Sequence, residues 1–275
     1  VDNSIDLIKH FDNLNIYKLT NHCNSAIARN LGFKKSKGET LFFIDGDMEL
    51  IPENLFHFYN TSEDKLDYPF ISGGFVNYYY NKSGTFLFNQ EYAHLKEDEF
   101  QLTTGGIFLI SRNLWELSGG MRTNFRRSQD LDFGLRISSN GTKLLRKKQL
   151  ICKHHTINYE SDERFWKDLV NGNFLYQGLL YKSNILNKGI YKSFLVKEVT
   201  LFVFLFVLVL IIIFKKSIVL LSFYVIVLIA KILYKKQNNV IGNCVRSFII
   251  DMNTIVSVLF FWPISVKADD HIKIK

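Results

Sequence analysis

Two patterns divide the chain. Up to about residue 160, short apolar runs alternate with segments whose apolar positions recur at helical spacing. Asn3 to Phe11 and Asn24 to Phe33 are predicted helices, the second with Asn24 placed to cap it. Leu41 to Ile44 is a short buried strand that ends at a polar cluster, and Pro52 to Tyr59 is a helix with Pro in its first turn. Phe70 to Tyr80, Ile107 to Ile110 and Leu150 to Lys153 are predicted strands, and Gln129 to Ser138 a helix. Strands alternating with helices predict an α/β sheet covered on both faces.

Beyond residue 193 the pattern changes. Val199 to Phe214 is apolar except for one Thr, and its 16 residues reach about 24 Å as a helix. Ser217 to Tyr234 is interrupted only by Lys231, so Lys215-Lys216 makes the two runs a tight helical hairpin. A third run, Ser247 to Ile264, carries Asp251 and Pro263; it spans, re-enters or lies flat, and the residues leave these open. Between the two parts, Glu163 to Lys182 places Phe165, Leu169, Tyr176 and Leu180 at helical spacing, and Trp166 and Tyr181 suit a water–lipid boundary. The predicted organisation is a catalytic α/β domain over 1–160, an interfacial helix and linker over 161–193, membrane segments over 194–266 and a polar tail over 267–275.

Charge sharpens this division. The 275 residues carry net +8, and residues 194–275 hold 10 Lys and Arg against 4 Asp and Glu, which leaves only +2 for the rest. The excess therefore belongs to the apolar part, which favours a membrane surface and argues against nucleic acid. Lys182, Lys188, Lys192 and Lys197 precede the first apolar run, and Lys231, Lys235, Lys236 and Arg246 follow the second. That asymmetry predicts a multi-pass cell-membrane protein whose head and 235–246 loop share the cytoplasmic side. Cys23, Cys152 and Cys244 form no CxxC pair, so a reducing compartment is expected.

The candidate chemistry begins at Asp45-Gly46-Asp47, directly after the strand LFFI. Ligands of open α/β sheets bind beyond the carboxyl ends of strands. Two carboxylates separated by Gly can face a divalent cation that also holds phosphate oxygens. A calcium loop counted from Asp45 would need Gly and Glu where Leu50 and Phe56 stand, so it fails. A haloacid-dehalogenase-type phosphatase also places an Asp pair after an apolar strand, although Glu49 stands where Thr or Val is usual.

The surrounding blocks are more specific than this pair. Ala28-Arg29-Asn30-Leu31-Gly32, Lys37-Gly38-Glu39, the apolar strand, Asp45/Asp47 and Pro52 follow one another in order. Thr104-Gly105-Gly106, Gly119-Gly120-Met121 and Gln129-Asp130-Leu131-Asp132 come later, with Arg136 beyond them. Together they resemble the family 2 glycosyltransferases of the GT-A fold, over nearly all of residues 1–182. The resemblance implies a mixed sheet flanked by helices, followed by C-terminal transmembrane helices. It implies nucleotide contacts at Asp2, Arg29 and Asp45, with Asp6 matching an acidic turn residue. It implies Mn²⁺ or Mg²⁺ held by Asp45 and Asp47, with His154 or His155 completing the shell, and Asp130 as general base. Alternation along a strand sends the two histidines to opposite faces, so one of them reaches the metal. Where the family usually has Glu-Asp, this chain has Gln129-Asp130.

The implied reaction is an inverting transfer of a sugar from a nucleotide-sugar, UDP-linked by the resemblance, to a hydroxyl of a lipid-linked or polysaccharide acceptor. The chain opens inside the family's second-strand motif, so the first strand and helix are expected to be missing and nucleotide binding weak. Two alternatives stand beside this reading: the phosphatase, with Asp45 as nucleophile, and a non-catalytic membrane adaptor that kept the fold.

Overall fold

The computed structural model describes residues 6, 12–21, 23–60, 62–92, 95–159, 161–215, 217–266 and 271–275. Asp2 and most of the predicted Asn3–Phe11 helix lie outside the described residues; Asp6 is described and exposed. The chain divides into two compact units, Val1–Tyr159 with Pro263–Lys275, and Glu160–Trp262.

The first unit begins with β1 (Tyr17–Leu19) and α1 (Ser25–Lys35). Asn24 caps α1, its side-chain oxygen accepting from Ile27 N at 2.8 Å, which satisfies one of the helix's free N–H groups. Next come β2 (Thr40–Ile44), β3 (Met48–Leu50), a 3-10 turn over Pro52–His57 where a longer helix was predicted, and a small hairpin of β4 (Tyr59–Asn60) and β5 (Lys65–Leu66). Then follow β6 (Phe70–Tyr80), β7 (Phe86–Tyr92), β8 (Glu99–Gln101), β9 (Ile107–Ser111), α2 (Arg112–Ser118), α3 (Gln129–Ser139), β10 (Leu144–Ile157) and β11 (His271–Lys273). β11 pairs antiparallel with β1.

The central sheet runs β2-β9-β6-β10-β3, with β7 added to β6 and β8 to β10. Only the β6–β10 pairing is parallel among its pairings, so the sheet is mixed. Alternation along each strand builds two cores. Leu41, Phe70, Phe108 and Ile110 face Ala26 of α1, Trp115 of α2, and Phe133 and Ile137 of α3. Ile71, Phe75, Ile107, Leu109, Ile151 and Cys152 pack on the other side, with Phe58 and Leu66. β10 outruns its predicted bounds at both ends because its length is set by partners on two edges: β6 on one, β8 and β3 on the other.

The second unit is helical: α4 (Ser161–Val170), α5 (Leu175–Ser183), α6 (Lys188–Lys197), α7 (Val199–Phe214), α8 (Ser217–Tyr234) and α9 (Val240–Phe260). The segment predicted as one helix from Glu163 to Lys182 is broken between α4 and α5, where Gly172 takes a left-handed φ of 67°. Phe204 and Val207 of α7 pack with Tyr224 and Leu228 of α8, flanked by Cys244 and Ile255 of α9. A methyl on Gly178 of α5 would lie 2.7 Å from Ser257 Cβ and Thr254 O of α9, so these two helices touch backbone to backbone. Among the described residues one helix, α9, is long and apolar enough to cross a membrane; α7 and α8 are shorter apolar helices. The third run thus starts at Val240, before the predicted Ser247, and ends at Phe260, before Pro263. Asn239 supplies the start, its side chain accepting from Gly242 N.

Candidate active site

Asp45 leaves the end of β2, and Asp47 precedes β3. The turn between them is fixed at both ends by backbone bonds, Asp45 N to Gly106 O at 3.0 Å and His155 N to Asp47 O at 2.8 Å. Gly46 has an ordinary φ and open space around it, so the bend itself does not require glycine. Gly106 does carry a steric demand: a methyl there would lie 2.7 Å from Asp45 Oδ2 and 2.5 Å from Met48 Cε.

The two acids have different surroundings. Arg29, 8% exposed on α1, donates to Asp45 Oδ1 at 2.6 Å while its guanidinium lies over the Phe108 ring at 5.7 Å. Burial raises the Asp45 pKa above the ordinary value; Arg29 pulls it back and Asp47 pushes it further up. Asp47 is more open, its side chain 56% exposed, with Oδ2 3.3 Å from His154 Nε2. His154 Nδ1 lies 2.7 Å from Asn77 Oδ1; with the ring proton on Nδ1, Nε2 is a lone-pair donor facing the Asp47 carboxylate. Two lone-pair donors facing one another are satisfied by a cation between them, which is the donor chemistry a divalent metal needs. Among the described residues no three His, Cys, Asp or Glu are gathered closely enough to hold a metal by themselves.

His155 points away from this pair. Its Nε2 lies 3.1 Å from Glu49 Oε2, and Nδ1 pairs with the Tyr80 hydroxyl at 2.9 Å, on the opposite face of β10. The strand's two-residue period separates the histidines, and only His154 shares a face with the Asp47 carboxylate. Of the two histidines expected at a metal, His154 is the one that lies beside the Asp47 carboxylate. Burial pushes the Cys152 thiol up to about 12.

Asp130 lies in the first turn of α3, half-buried, and accepts from the Thr103 hydroxyl at 2.6 Å. Gly106 contacts Asp45, so one short loop touches both candidate acids. Three Cα–Cα steps of 3.8 Å hold Thr103 and Gly106 within about 11 Å of each other. A buried arginine organises that loop. Arg146 on β10 is fully buried and donates to Gln101 Oε1 (2.5 Å), Ser72 Oγ (3.2 Å), Gly73 O (2.8 Å), and Thr103 O and Thr104 O (both 3.1 Å). Its desolvation lowers the guanidinium pKa from the ordinary value.

The second acid of Gln129-Asp130-Leu131-Asp132 has a structural role. Asp132 is fully buried, paired with Arg122 Nη1 and Arg136 Nε, both at 3.0 Å. Arg136 also donates to Ser118 O and Gly120 O, which ties α3 to the turn after α2. Gly119 and Gly120 both take φ of 70°, and a methyl on Gly120 would lie 2.7 Å from Asn30 Oδ1, so this turn does demand two glycines. The Gln129 side-chain oxygen is buried with no hydrogen-bond partner.

Sequence reading missed three residues: Asn77, which orients His154; Thr103, which holds Asp130; and Arg146. Asn77 carried a usable signal, a polar residue at a position where the alternation of β6 demands an inward side chain. Arg146 sits in the charge run Arg146-Lys147-Lys148, which reads as a solvated strand.

No curated protein sequence matches the chain. Among solved structures, one titled as GalNAc-T7 with UDP, GalNAc and Mn2+ is 16% identical, with a TM-score of 0.36 over 50% of this chain and 31% of that one. Another, mannosyltransferase PcManGT from Pyrobaculum calidifontis in complex with GDP-Man and Mn2+, is 10% identical, with a TM-score of 0.44 over 88% of this chain and 68% of that one. This chain thus spans under a third of the first and about two thirds of the second. The match to Glycosyl transferase family 2 covers residues 1–152, from the start through Asp45, Asp47, Asp130 and most of β10; the chain belongs to that family.

Proposed function

We propose that the chain is an inverting glycosyltransferase that moves a sugar from a UDP-linked donor to a hydroxyl of a lipid-linked or polysaccharide acceptor. The observation that carries this reading is the loop from Gln101 to Gly106. It touches Asp45 at one end and Asp130 at the other, so both acids are tied to one stretch of six residues. The half-exposed Asp47 carboxylate and His154 Nε2 would hold Mn²⁺ or Mg²⁺ together with diphosphate oxygens, and Arg29 fixes Asp45 beside them. Bound there, the metal supplies positive charge against the departing diphosphate. Asp130 takes the acceptor hydroxyl proton as the oxygen forms its bond to the anomeric carbon and the bond to the diphosphate breaks. Attack from the side opposite the leaving group inverts the centre.

The helical unit supports a membrane-attached enzyme. A lipid-linked acceptor and a membrane-held head meet in one plane, and the basic residues flanking the apolar helices favour a head on the cytoplasmic side of a multi-pass anchor. Against the phosphatase alternative stands the Arg29 bond to Asp45 Oδ1 at 2.6 Å, which draws negative charge from the carboxylate that would have to attack.

The test is a donor screen on the full chain in lipid, reading nucleotide release with Mn²⁺ and after chelation. Metal-dependent release from one nucleotide-sugar, lost in Asp47→Ala, supports the reading. Phosphate release from simple monoesters without sugar transfer refutes it, and so does unchanged turnover by Asp130→Asn.

A further inference from the structure

A cavity of about 310 Å³ lies within the helical unit, where α7 begins, α8 ends and α9 begins. That volume matches the lower end of small-ligand sites. Lys231, Lys235 and Arg246 line it together with Glu198 and Asp251. Both carboxylates are already served by the protein. The Tyr181 hydroxyl donates to Glu198 at 2.6 Å, and the Tyr224 hydroxyl donates to Asp251 at 2.8 Å. Lys231 donates to Thr200 Oγ1 at 3.0 Å, beside Asp251, so the floor is a closed network of buried groups.

The mouth differs in character. Lys235 and Gln237 are exposed there, and Arg246 lies over the Phe165 ring at 5.5 Å while pairing with Asp162. α7, of 16 residues, and α9, of 21, both open toward this end, so two helix N-termini add positive potential to the cations. Leu233 and Tyr234, just before Lys235, and Ile241, two residues before Asn243, are 59%, 89% and 81% exposed, so the helix ends that carry the lining residues also carry exposed apolar side chains.

We propose that this cavity seats the phosphate of an anionic lipid headgroup, with Lys235 and Arg246 holding its oxygens and the apolar rim meeting its acyl chains. A basic pocket at the ends of apolar helices lies at the level where headgroup phosphates sit. A freely soluble phosphate would gain nothing from that rim. The site rests on the reading of α9 as a membrane span, and it goes beyond the transfer reaction, since no residue in it belongs to the sites around Asp45 and Asp130.

The experiment uses the full chain in detergent, titrated with dihexanoyl phosphatidylglycerol, dihexanoyl phosphatidylcholine or inorganic phosphate, with binding read by native mass spectrometry and thermal shift. Saturable binding of the phosphatidylglycerol is expected, weakened about fivefold by Lys235→Gln and again by Arg246→Gln. Lys235→Gln is the cleaner variant, because Arg246→Gln also breaks the ion pair with Asp162; thermal melting checks that each is folded. Equal affinity for both lipids, or an unchanged affinity in Lys235→Gln, overturns the proposal. Inorganic phosphate binding as tightly as the lipid overturns the lipid source. Flotation with phosphatidylcholine vesicles separates the premise from the site: a chain that does not float refutes the membrane reading, whereas one that floats without headgroup discrimination refutes only the pocket.

Discussion

Replacing Arg146 with Met keeps most of the side chain's volume and removes every donor. The guanidinium makes five hydrogen bonds, to Gln101, Ser72, Gly73, Thr103 and Thr104, from a site with no solvent exposure. Three of the acceptors are backbone carbonyls that have no side-chain freedom with which to find water. A hydrogen bond to a charged donor contributes about 1.5–3 kcal/mol, and a stranded buried acceptor costs about 1–3 kcal/mol. Water entering the loosened loop offsets part of this, so the net loss is expected at about 3–5 kcal/mol, a large share of a typical domain's stability. Arg146→Lys keeps the charge and three N–H donors but not the fork, and should lose about 2 kcal/mol.

Urea unfolding followed by the fluorescence of Trp115, which is 1% exposed in the head, with Trp166 and Trp262 replaced by Phe, reads the head's stability. The functional consequence is separable. Below both midpoints the Met variant is folded but its 101–106 loop is unanchored, so Thr103 no longer sets the Asp130 carboxyl. A misplacement of about 1 Å costs transfer about 100-fold. A folded Met variant that transfers sugar at the wild-type rate would refute the role given to the loop. A midpoint unchanged by the substitution would refute the energetics.

Asp130→Asn should cut kcat by about 10²–10⁴-fold with little change in melting temperature, since the position gives up little beyond the Thr103 bond. Asn77→Leu removes the acceptor that sets the His154 tautomer and should weaken Mn²⁺ binding about 10–100-fold in calorimetry, whereas His155→Gln should leave it unchanged. Gly134→Ala should unfold or inactivate the head, because its methyl would collide with the Leu102 carbonyl group; circular dichroism melting distinguishes the two outcomes. Gly178→Leu should separate α5 from α9 and lower the melting temperature of the helical unit, because the approach of 2.7 Å leaves no room for a side chain.

Much of the head was legible because its signals are local. The strands over 70–80 and 107–110 show as apolar runs bounded by turn residues, and Asn24 caps its helix where the pattern placed it. Other elements depend on partners far along the chain. Residues 144–149 look solvated, yet pairing with β6 and β8 extends β10 through them and draws Arg146 under the loop. The Pro52 segment has a helix's composition but closes as a 3-10 turn, because Phe58 must drop into the core beside Ile71 and Ile151. The Asp pair could be found by its place after a strand. Its division of labour could not, because the burial that raises the Asp45 pKa and the Arg29 bond that opposes it both arise from contacts made only in three dimensions.

The setting of α3 explains why two acids two residues apart do unlike work. Successive residues turn by about 100° around a helix, so Asp132 lies about 200° from Asp130, while Gly134 returns to within about 40° of it. Gly134 rests against the Leu102 carbonyl, and Asp130, one turn earlier on that face, meets Thr103. Asp132, on the far side, is buried between Arg122 and Arg136, and Arg136 reaches on to the carbonyls of Ser118 and Gly120. Each contact fixes the rotation of the helix from one side: a slip that freed Asp132 would drive Gly134 into the loop, and a slip the other way would strand a buried carboxylate. The helix thus sets where Asp130 leaves the backbone and Thr103 sets the carboxyl itself, which leaves it half-open for an acceptor hydroxyl.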